Sequence, residues 1–313
     1  MSGEKLAQRS YYGKALAKLA ETNPDVVVFD ADLAGSTKTS SFQSAAPERF
    51  VQTGIAESNM IGVAAGMAAS GKIAFASTFG VFASGRCWEQ IRMAVAYPKL
   101  NVKIVATHCG LSVGPDGATH QALEDIAIMR SLPNMTVVVP CDAYEAYAAT
   151  LALAEHDGPA YMRMGRSEFP VIKDKDCKFQ IGKADVIREG KDVSIIACGQ
   201  MVQTSIEAAE LLEKEGISAE IINMATVKPL DAEAVIATAR KTGAVVTAEE
   251  HSIIGGLGSA VAEVLADKQN VPFERVGIKD RFGQSGKPPV LFEAYGLTDK
   301  AIIEACERVI ARK

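Results

Sequence analysis

The chain has 313 residues, of which 48% are hydrophobic and 23% are charged, a balance typical of about two globular domains. Its formal net charge of −5 excludes a strongly basic surface of the kind that binds nucleic acid or acidic lipid. No signal-peptide core and no run of about 18 apolar residues occurs, and the six cysteines are too widely spaced for a metal site or a disulfide scaffold. We therefore expect a reduced, cytoplasmic protein that binds no membrane and holds no metal ion with its own side chains.

Strand and helix patterns alternate through the first half of the chain. Because the predicted strands are continuous apolar runs, we expect a mostly parallel sheet with helices on both faces. Ligands of such sheets bind in the loops beyond the carboxyl ends of the strands, so these loops predict a single site. The strands are predicted at residues 26–29, 73–77, 102–107, 136–139 and 160–164, and the helices at 11–21, 61–69, 81–97, 123–132 and 142–156.

The segment at residues 169–190 interrupts this alternation. Pro170, a charged run at 173–176 and a hairpin-like stretch at 180–188 predict a domain boundary. Beyond it the alternation restarts, so we expect two consecutive α/β domains, at residues 1–170 and 171–313. The strands of the second domain are predicted at 193–198, 219–224, 244–248 and 274–278, and its helices at 202–213, 231–239, 257–266 and 299–312.

A single carboxylate stands where an uncharged helix is predicted to begin. Glu57 precedes residues 60–69, which are all apolar or glycine. A helix that is apolar on all sides is typical of complete burial, and its small residues leave room for another backbone. Because a buried carboxylate costs free energy unless it is paired, Glu57 is either a capping acid stabilised by the helix dipole or a functional acid.

Two of the four histidines lie in a glycine-rich loop (residues 108–121) that directly follows a predicted strand. Its three glycines allow a ligand to approach the backbone closely. His108, Asp116 and His120 could be metal ligands, but no fourth ligand can be identified. Polar binding of a hydroxylated substrate, with His120 transferring a proton near neutral pH, is the better interpretation.

Phe79 and Phe82 lie close together at the end of a predicted strand. As core residues they need no further explanation. As a stacking surface for a flat heterocycle they would need a carboxylate nearby, and Glu57 is the candidate.

Taken together, these stretches resemble the pyrimidine-binding and C-terminal domains of the transketolase family. The resemblance extends over most of the chain, and its most specific part is Asp-Gly-Ala-Thr-His-Gln at residues 116–121; the second domain matches only in pattern. It implies thiamine diphosphate as cofactor and transfer of a two-carbon ketol unit between sugar phosphates, as in the pentose phosphate pathway. The similarity is carried by residues 54–60, 77–82, 107–121, 132–135, 140–142 and 165–166.

The resemblance also implies a role for each matching residue. Glu57 takes the place of the catalytic glutamate that hydrogen-bonds a nitrogen of the cofactor's aminopyrimidine ring, and Phe79 and Phe82 take the place of the stacking residues. Gly85 replaces a tyrosine usual in that pocket, which implies a looser pocket, and Arg163 is expected to form a structural ion pair. Asp32 matches a residue near the cofactor. The resemblance also implies that His120 lies beside the reacting carbonyl and is catalytic as well as substrate-binding. The substrate-binding residues that it implies are Arg9, Ser36, His108, Asp116, His120 and Arg166.

One part of the family's machinery is missing from the sequence. The Gly-Asp-Gly motif and downstream Asn that hold the cofactor's Mg²⁺ do not occur, although Mg²⁺ commonly bridges carboxylates and phosphate oxygens. The resemblance therefore implies the C-terminal subunit of a split enzyme. Its partners would be a separate N-terminal subunit that carries the diphosphate and Mg²⁺ site, and a second copy of this chain bound through the pyrimidine-binding domain.

Three alternatives remain at this point. A 1-deoxyxylulose-5-phosphate synthase-like or other specialised ketose transferase would use a similar glycine-rich loop. A 2-oxoacid dehydrogenase β-type subunit is disfavoured by Arg9, His108 and Arg166, because that reaction needs no grip on a sugar phosphate. A catalytically silent module is disfavoured by Glu57 and the two phenylalanines.

Overall fold

The structure is a computed structural model that describes residues 4–313. Its strands are β1 (Lys5–Ala7), β2 (Val26–Asp30), β3 (Phe50–Gln52), β4 (Ile73–Phe79), β5 (Val102–Thr107), β6 (Thr136–Val138), β7 (Ala160–Arg163), β8 (Glu168–Pro170), β9 (Asp185–Arg188), β10 (Val193–Ala197), β11 (Ala219–Asn223), β12 (Thr226–Lys228), β13 (Val245–Ser252) and β14 (Phe273–Ile278).

Helices separate most of these strands. They are α1 (Gln8–Thr22), α2 (Ala34–Thr37), α3 (Ser40–Ala45), α4 (Glu57–Ala69), α5 (Trp88–Gln90), α6 (Asp125–Arg130), α7 (Ala143–Glu155), α8 (Met201–Lys214), α9 (Ala232–Thr242), α10 (Leu257–Lys268), α11 (Pro288–Tyr295) and α12 (Asp299–Ile310). Shorter helical turns of other types lie at Pro47–Arg49, Phe82–Arg86, Ile91–Ala96 and Leu111–Asp116. Among the helices of residues 4–313, none is long and apolar enough to cross a membrane.

The larger sheet has seven strands in the order β12-β6-β7-β5-β4-β2-β3. All neighbours pair in parallel except β12, which runs antiparallel to β6. Every residue of β2, β5 and β7 is buried, as expected for strands covered by helices on both faces. The predicted fold class is therefore confirmed for the first half of the chain.

A second sheet has five strands in the order β14-β13-β10-β11-β9. Its inner strands are parallel, and β9 is an antiparallel edge. The hairpin expected at residues 180–188 is wrong, because β9 hydrogen-bonds to β11 instead of to a neighbouring strand in sequence. By pairing with β11, the short strand β9 provides hydrogen-bond partners for backbone groups that would otherwise be unpaired at the edge of the sheet.

The two halves of the chain share structure across the predicted boundary. β12, from the second half, completes the larger sheet. One hydrophobic cluster also contains Val27 and Ile104 from the first half together with Ile222 and Val261 from the second. The boundary at residues 170/171 stays a prediction, because the shared core does not divide the chain into two independent units.

Two helix predictions need correction. Helix α4 is not completely buried, because Asn59, Gly62, Val63 and Gly66 face solvent while Glu57, Met60 and Ile61 are buried. The helix expected over residues 81–97 is broken into α5 flanked by π-helical turns. Such turns insert an extra residue and often lie beside functional sites; apolar periodicity alone does not distinguish them from an α-helix.

Candidate active site

The site lies where the carboxyl ends of β2, β4, β5 and β7 meet. Phe79 is the last residue of β4, His108 directly follows β5, and Arg166 lies shortly after β7. Because parallel strands end on the same side of a sheet, residues far apart in sequence are neighbours here.

An aromatic cluster forms the centre of the site. The rings of Phe79 and Phe82 are stacked with centroids 6.2 Å apart and planes inclined by 16°. The His108 ring stacks on Phe79 at 3.9 Å, and the His120 ring meets Phe82 edge-on at 5.4 Å. A side chain at Gly85 would meet nothing within 4 Å, so the space beside this cluster is open.

Glu57 is buried at the first turn of α4, with 3% of its surface exposed. Arg86 donates a hydrogen bond from Nη1 to Glu57 Oε2 at 2.7 Å, and the Arg86 side chain is half exposed. The Arg86 guanidinium also lies 4.7 Å from the Phe82 ring centroid. The ion pair and the cation–π contact connect the buried carboxylate to the aromatic cluster.

Arg86 is a residue that sequence reasoning missed. The need to pair a buried carboxylate predicts that Glu57 has a cationic or hydrogen-bonding partner. It does not identify the partner, since Arg86 lies on a separate helical turn.

Positive charge is concentrated beside the aromatic cluster. Burial, and after it the proximity of Arg9, Arg166 and His120, lowers the pKa of His108 to about 3. Burial and the proximity of Arg166 also lower the pKa of Arg9. Arg9 Nη1 donates to the Ser36 carbonyl at 2.9 Å, while its buried Nε has no hydrogen-bond partner within residues 4–313. This arrangement favours an anionic ligand.

The glycine-rich loop brings Asp116 close to Arg166 and His120 close to the aromatic cluster. Arg166 Nη1 donates to the Val113 carbonyl at 2.9 Å and lies 3.9 Å from the Asp116 carboxylate. A hydrogen bond of 2.9 Å between Thr119 Oγ1 and His120 Nδ1 orients the imidazole. The structure therefore places Arg9, Ser36, His108, Asp116, His120 and Arg166 in one region.

Asp32 is less closely connected to the site. It follows β2 with a positive φ of 66°, and its N–H donates to Gln52 Oε1 at 2.7 Å. Within the described part of the chain, no hydrogen bond or ion pair joins its exposed carboxylate to the aromatic cluster or to the arginines. The neighbouring Asp30 is buried and accepts hydrogen bonds from Thr37 and Thr39, which is a structural role.

Arg163 forms the structural ion pair that was expected. Its Nε donates to Asp125 Oδ2 at 2.9 Å, and both side chains are buried. In residues 4–313, no group of three or more His, Cys, Asp or Glu side chains could hold a metal ion.

The fold and the site define an α/β module in which stacked aromatic rings and a buried carboxylate lie at the carboxyl ends of parallel strands, together with two arginines. The model of the transketolase pyrimidine-binding domain matches residues 4–171, and that of the transketolase C-terminal domain matches residues 182–302. The chain therefore belongs to the transketolase family, which confirms the resemblance and makes it part of a transferase that uses thiamine diphosphate.

Individual relatives match nearly the whole chain. It is 50% identical over 305 residues to a putative transketolase C-terminal section of Methanocaldococcus jannaschii, covering 96% of each protein. It is 46% identical over 305 residues to a 6-deoxy-6-sulfo-D-fructose transketolase subunit of a Clostridium species, covering 97% of this chain and 95% of that protein. A solved structure described as a split gene transketolase, an inactive β4 tetramer, superposes with a TM-score of 0.92 at 52% identity and covers 98% of this chain and 99% of that chain.

Proposed function

We propose that this chain is the C-terminal subunit of a split transketolase and is active only with a separate N-terminal subunit. The assembled enzyme transfers a two-carbon ketol unit between sugar phosphates. The observation that carries the proposal is the pairing of the buried Glu57 with Arg86, whose guanidinium lies over the Phe82 ring of the stacked aromatic cluster.

The residues fit the pyrimidine half of thiamine diphosphate. Phe79 and Phe82 offer a flat apolar surface, and Glu57 offers a buried carboxyl group that can form a hydrogen bond with a ring nitrogen. Arg86 bonds to Oε2, which leaves Oε1 for that contact. Thiamine diphosphate held there would supply a nucleophilic carbon for ketol transfer.

The cationic residues fit the substrate's phosphate group. Arg9 and Arg166 carry charge that a phosphate dianion can pair with. His108 stays neutral at physiological pH because its pKa lies near about 3, so it binds as a neutral hydrogen-bonding group and not as a cation. Asp116 holds a substrate hydroxyl, and His120 exchanges a proton at the reacting carbonyl.

The remaining parts of the proposal concern assembly and location. The partner subunit supplies the Mg²⁺ ligands for the diphosphate, Asp32 lies near the cofactor, and two copies of this chain associate through the pyrimidine-binding domain. Residues 1–170 form that domain and residues 171–313 the C-terminal domain, in a cytoplasmic hetero-oligomer. The relative whose structure is described as an inactive split-gene tetramer supports a requirement for a second subunit.

A specialised ketose transferase is a second candidate. The relative named for a sulfonated fructose is 46% identical to this chain, and a cluster of arginines binds a sulfonate as well as a phosphate because both are oxyanions. Product analysis with sulfonated and phosphorylated ketose donors, and with pyruvate plus glyceraldehyde 3-phosphate for a synthase, distinguishes these activities.

The experiment that tests the proposed function compares the chain alone with the reconstituted enzyme. The purified chain should bind thiamine diphosphate weakly and show no turnover, because ring contacts alone contribute a few kcal/mol against roughly 4–15 kcal/mol for lost translational and rotational freedom. Adding an N-terminal subunit with the Gly-Asp-Gly motif should produce tight, Mg²⁺-dependent cofactor binding and ketol transfer.

The Glu57→Gln variant is the control for this experiment, since it keeps the shape of the side chain and removes the ionisable group. It should assemble normally but lose turnover by about 10²–10⁴-fold. Tight Mg²⁺-dependent binding and turnover by the chain alone would contradict the split-enzyme proposal.

A further inference from the structure

The second half of the chain contacts the glycine-rich loop at both of its ends. Glu250, near the end of β13, reaches the start of the loop, and residues 283–288 pack against its middle and end. We propose that Glu250 is a positioning residue that holds the glycine-rich loop in its binding conformation. The functional meaning of that conformation rests on the proposed function.

The contact between Glu250 and the loop is short and buried. Glu250 Oε1 accepts a hydrogen bond from the Ser112 N–H at 2.6 Å, and both residues are almost inaccessible to solvent. An amide N–H in such a position has no water to replace a lost partner. Glu250 therefore satisfies a backbone donor that would otherwise be unpaired.

The start of the loop is shaped to accommodate this carboxylate. Gly110 has a positive φ of 80°, and a Cβ placed there would lie 2.3 Å from Glu250 Oε1. Only glycine combines this backbone conformation with such a close approach. The backbone of the loop is thus fitted against the glutamate, and a smaller acid at position 250 would leave a gap.

Glu250 is itself held by the buried arginine of the core. Arg163 Nη2 donates to the Glu250 carbonyl at 2.8 Å, and its Nη1 lies 3.9 Å from Oε2. Arg163 is anchored in turn by Asp125 at 2.9 Å. This network leaves Glu250 Oε1 directed at the loop, which distinguishes a positioning role from a simple ion pair.

The far end of the loop is fastened by the same half of the chain. Gln121 Nε2 donates to the Gln284 carbonyl at 3.0 Å and to the Gly114 carbonyl at 3.3 Å. Asp116 and His120 lie between the two contacts. Their placement toward a ligand therefore depends on the second half of the chain, which extends the contribution of that half beyond assembly.

Amide hydrogen exchange of the full-length chain tests this inference without any need for turnover. Glu250→Asp keeps the charge next to Arg163 but is too short to reach the Ser112 N–H, so exchange at Ser112 should accelerate roughly tenfold or more. Glu250→Gln keeps the reach and loses the charge, and should retain protection close to that of the unmodified chain.

Glu249→Asp is the matched control. Glu249 is the adjacent buried acid, but it accepts hydrogen bonds from Leu257 N and Gly258 N at the start of α10. Its variant should expose that helix end and leave the glycine-rich loop protected. Unchanged protection of Ser112 in Glu250→Asp, or equal loss in Glu249→Asp, would overturn the inference.

If Glu250→Asp does not fold, Glu250→Gln still tests the inference. Loss of Ser112 protection in Glu250→Gln would contradict it, because that side chain keeps the length needed to reach the Ser112 N–H. Failure of the reconstituted unmodified enzyme to transfer ketol units would contradict the proposed function, and it would leave the exchange result intact. The two outcomes are therefore separable.

Discussion

At the scale of single residues, the site separates two kinds of charge. Glu57 is buried with one cationic partner, whereas Arg166 lies near enough to Arg9 to lower its pKa, and both lie near the neutral His108. Two guanidiniums held close together repel each other unless an anion lies between them. This arrangement supports the assignment of Arg9 and Arg166 to an anionic part of the substrate.

Substitution of Arg166 tests that assignment. Arg166→Ala should raise KM for phosphorylated donors by about tenfold or more, because a charge-assisted hydrogen bond contributes roughly 1.5–3 kcal/mol. KM for the unphosphorylated donor hydroxypyruvate should change little. Steady-state kinetics of the reconstituted enzyme measure both values.

Arg240→Ala is the control for Arg166→Ala, since Arg240 is exposed on α9 and away from the proposed site residues in sequence. It should leave both KM values unchanged. Equal losses for the two donors in Arg166→Ala would show that Arg166 acts through the structure of the loop, whose Val113 carbonyl it binds.

At the scale of elements, helix α4 has two different faces. One face buries Met60, Ile61 and Ala64, while the other exposes Gly62 and Gly66, whose added Cβ atoms would meet nothing within 4 Å. Three large apolar side chains, Ile55, Met93 and Tyr97, are also exposed. Ile55 lies just before α4, Met93 lies in the helical turn that follows α5, and Tyr97 directly follows that turn. A small-residue face with exposed apolar neighbours is a suitable packing surface for a second copy of the chain.

A charge on this face should weaken association. Gly66→Glu should shift the purified chain toward monomer, because an ionised side chain would be buried without a partner in the contact. The monomer itself should remain stable, since the position is open and glycine is an unfavourable helix residue. Sedimentation velocity measures the change in mass.

Ala237→Glu, on the exposed side of α9, is the matched control and should keep the oligomeric state of the unmodified chain. If Gly66→Glu associates as strongly as this control, the exposed face of α4 is not the dimer contact.

At the scale of the whole molecule, three buried glutamates connect stability to pH. Burial raises the pKa of Glu145, Glu249 and Glu250 to about 7 each. A carboxyl group whose pKa is higher in the folded state stabilises the fold fully below its unfolded pKa, and this contribution is lost as pH rises to the folded value. These groups therefore lower the free energy of unfolding as pH increases from about 4.5 to about 7.

Removal of one such group should flatten this part of the pH dependence. A pKa raised from 4.5 to about 7 corresponds to roughly 3 kcal/mol. In Glu250→Gln, the decrease in unfolding free energy between pH 4.5 and pH 7 should therefore be smaller by up to about 3 kcal/mol. Urea denaturation at constant protein concentration measures it. Glu233→Gln, at a glutamate whose side chain is 91% exposed, should reproduce the original slope, and an unchanged slope in Glu250→Gln would contradict the prediction.

Much of the fold follows from local sequence pattern. The continuous apolar strands and the helices between them predicted both parallel sheets, because periodicity and burial are properties of neighbouring residues. The same pattern placed Phe79, His108 and Arg166 at strand ends, and the family motifs at residues 116–121 indicated the chemistry. The matches of the two transketolase domain models confirm the family, while the individual roles of these residues stay proposals.

Other features were decided only by the tertiary structure. The pairing of Glu57 with Arg86, the contact of Glu250 with Ser112 and the addition of β12 to the larger sheet join residues that no local pattern connects. Apolar composition likewise did not reveal that α4 exposes one face, because glycine and alanine are compatible with both burial and a subunit contact. Sequence by itself determined most of the segments that form strands and helices, and the family to which the chain belongs. Packing in three dimensions decided which distant side chains meet, because those contacts depend on how the sheets and helices are placed against one another.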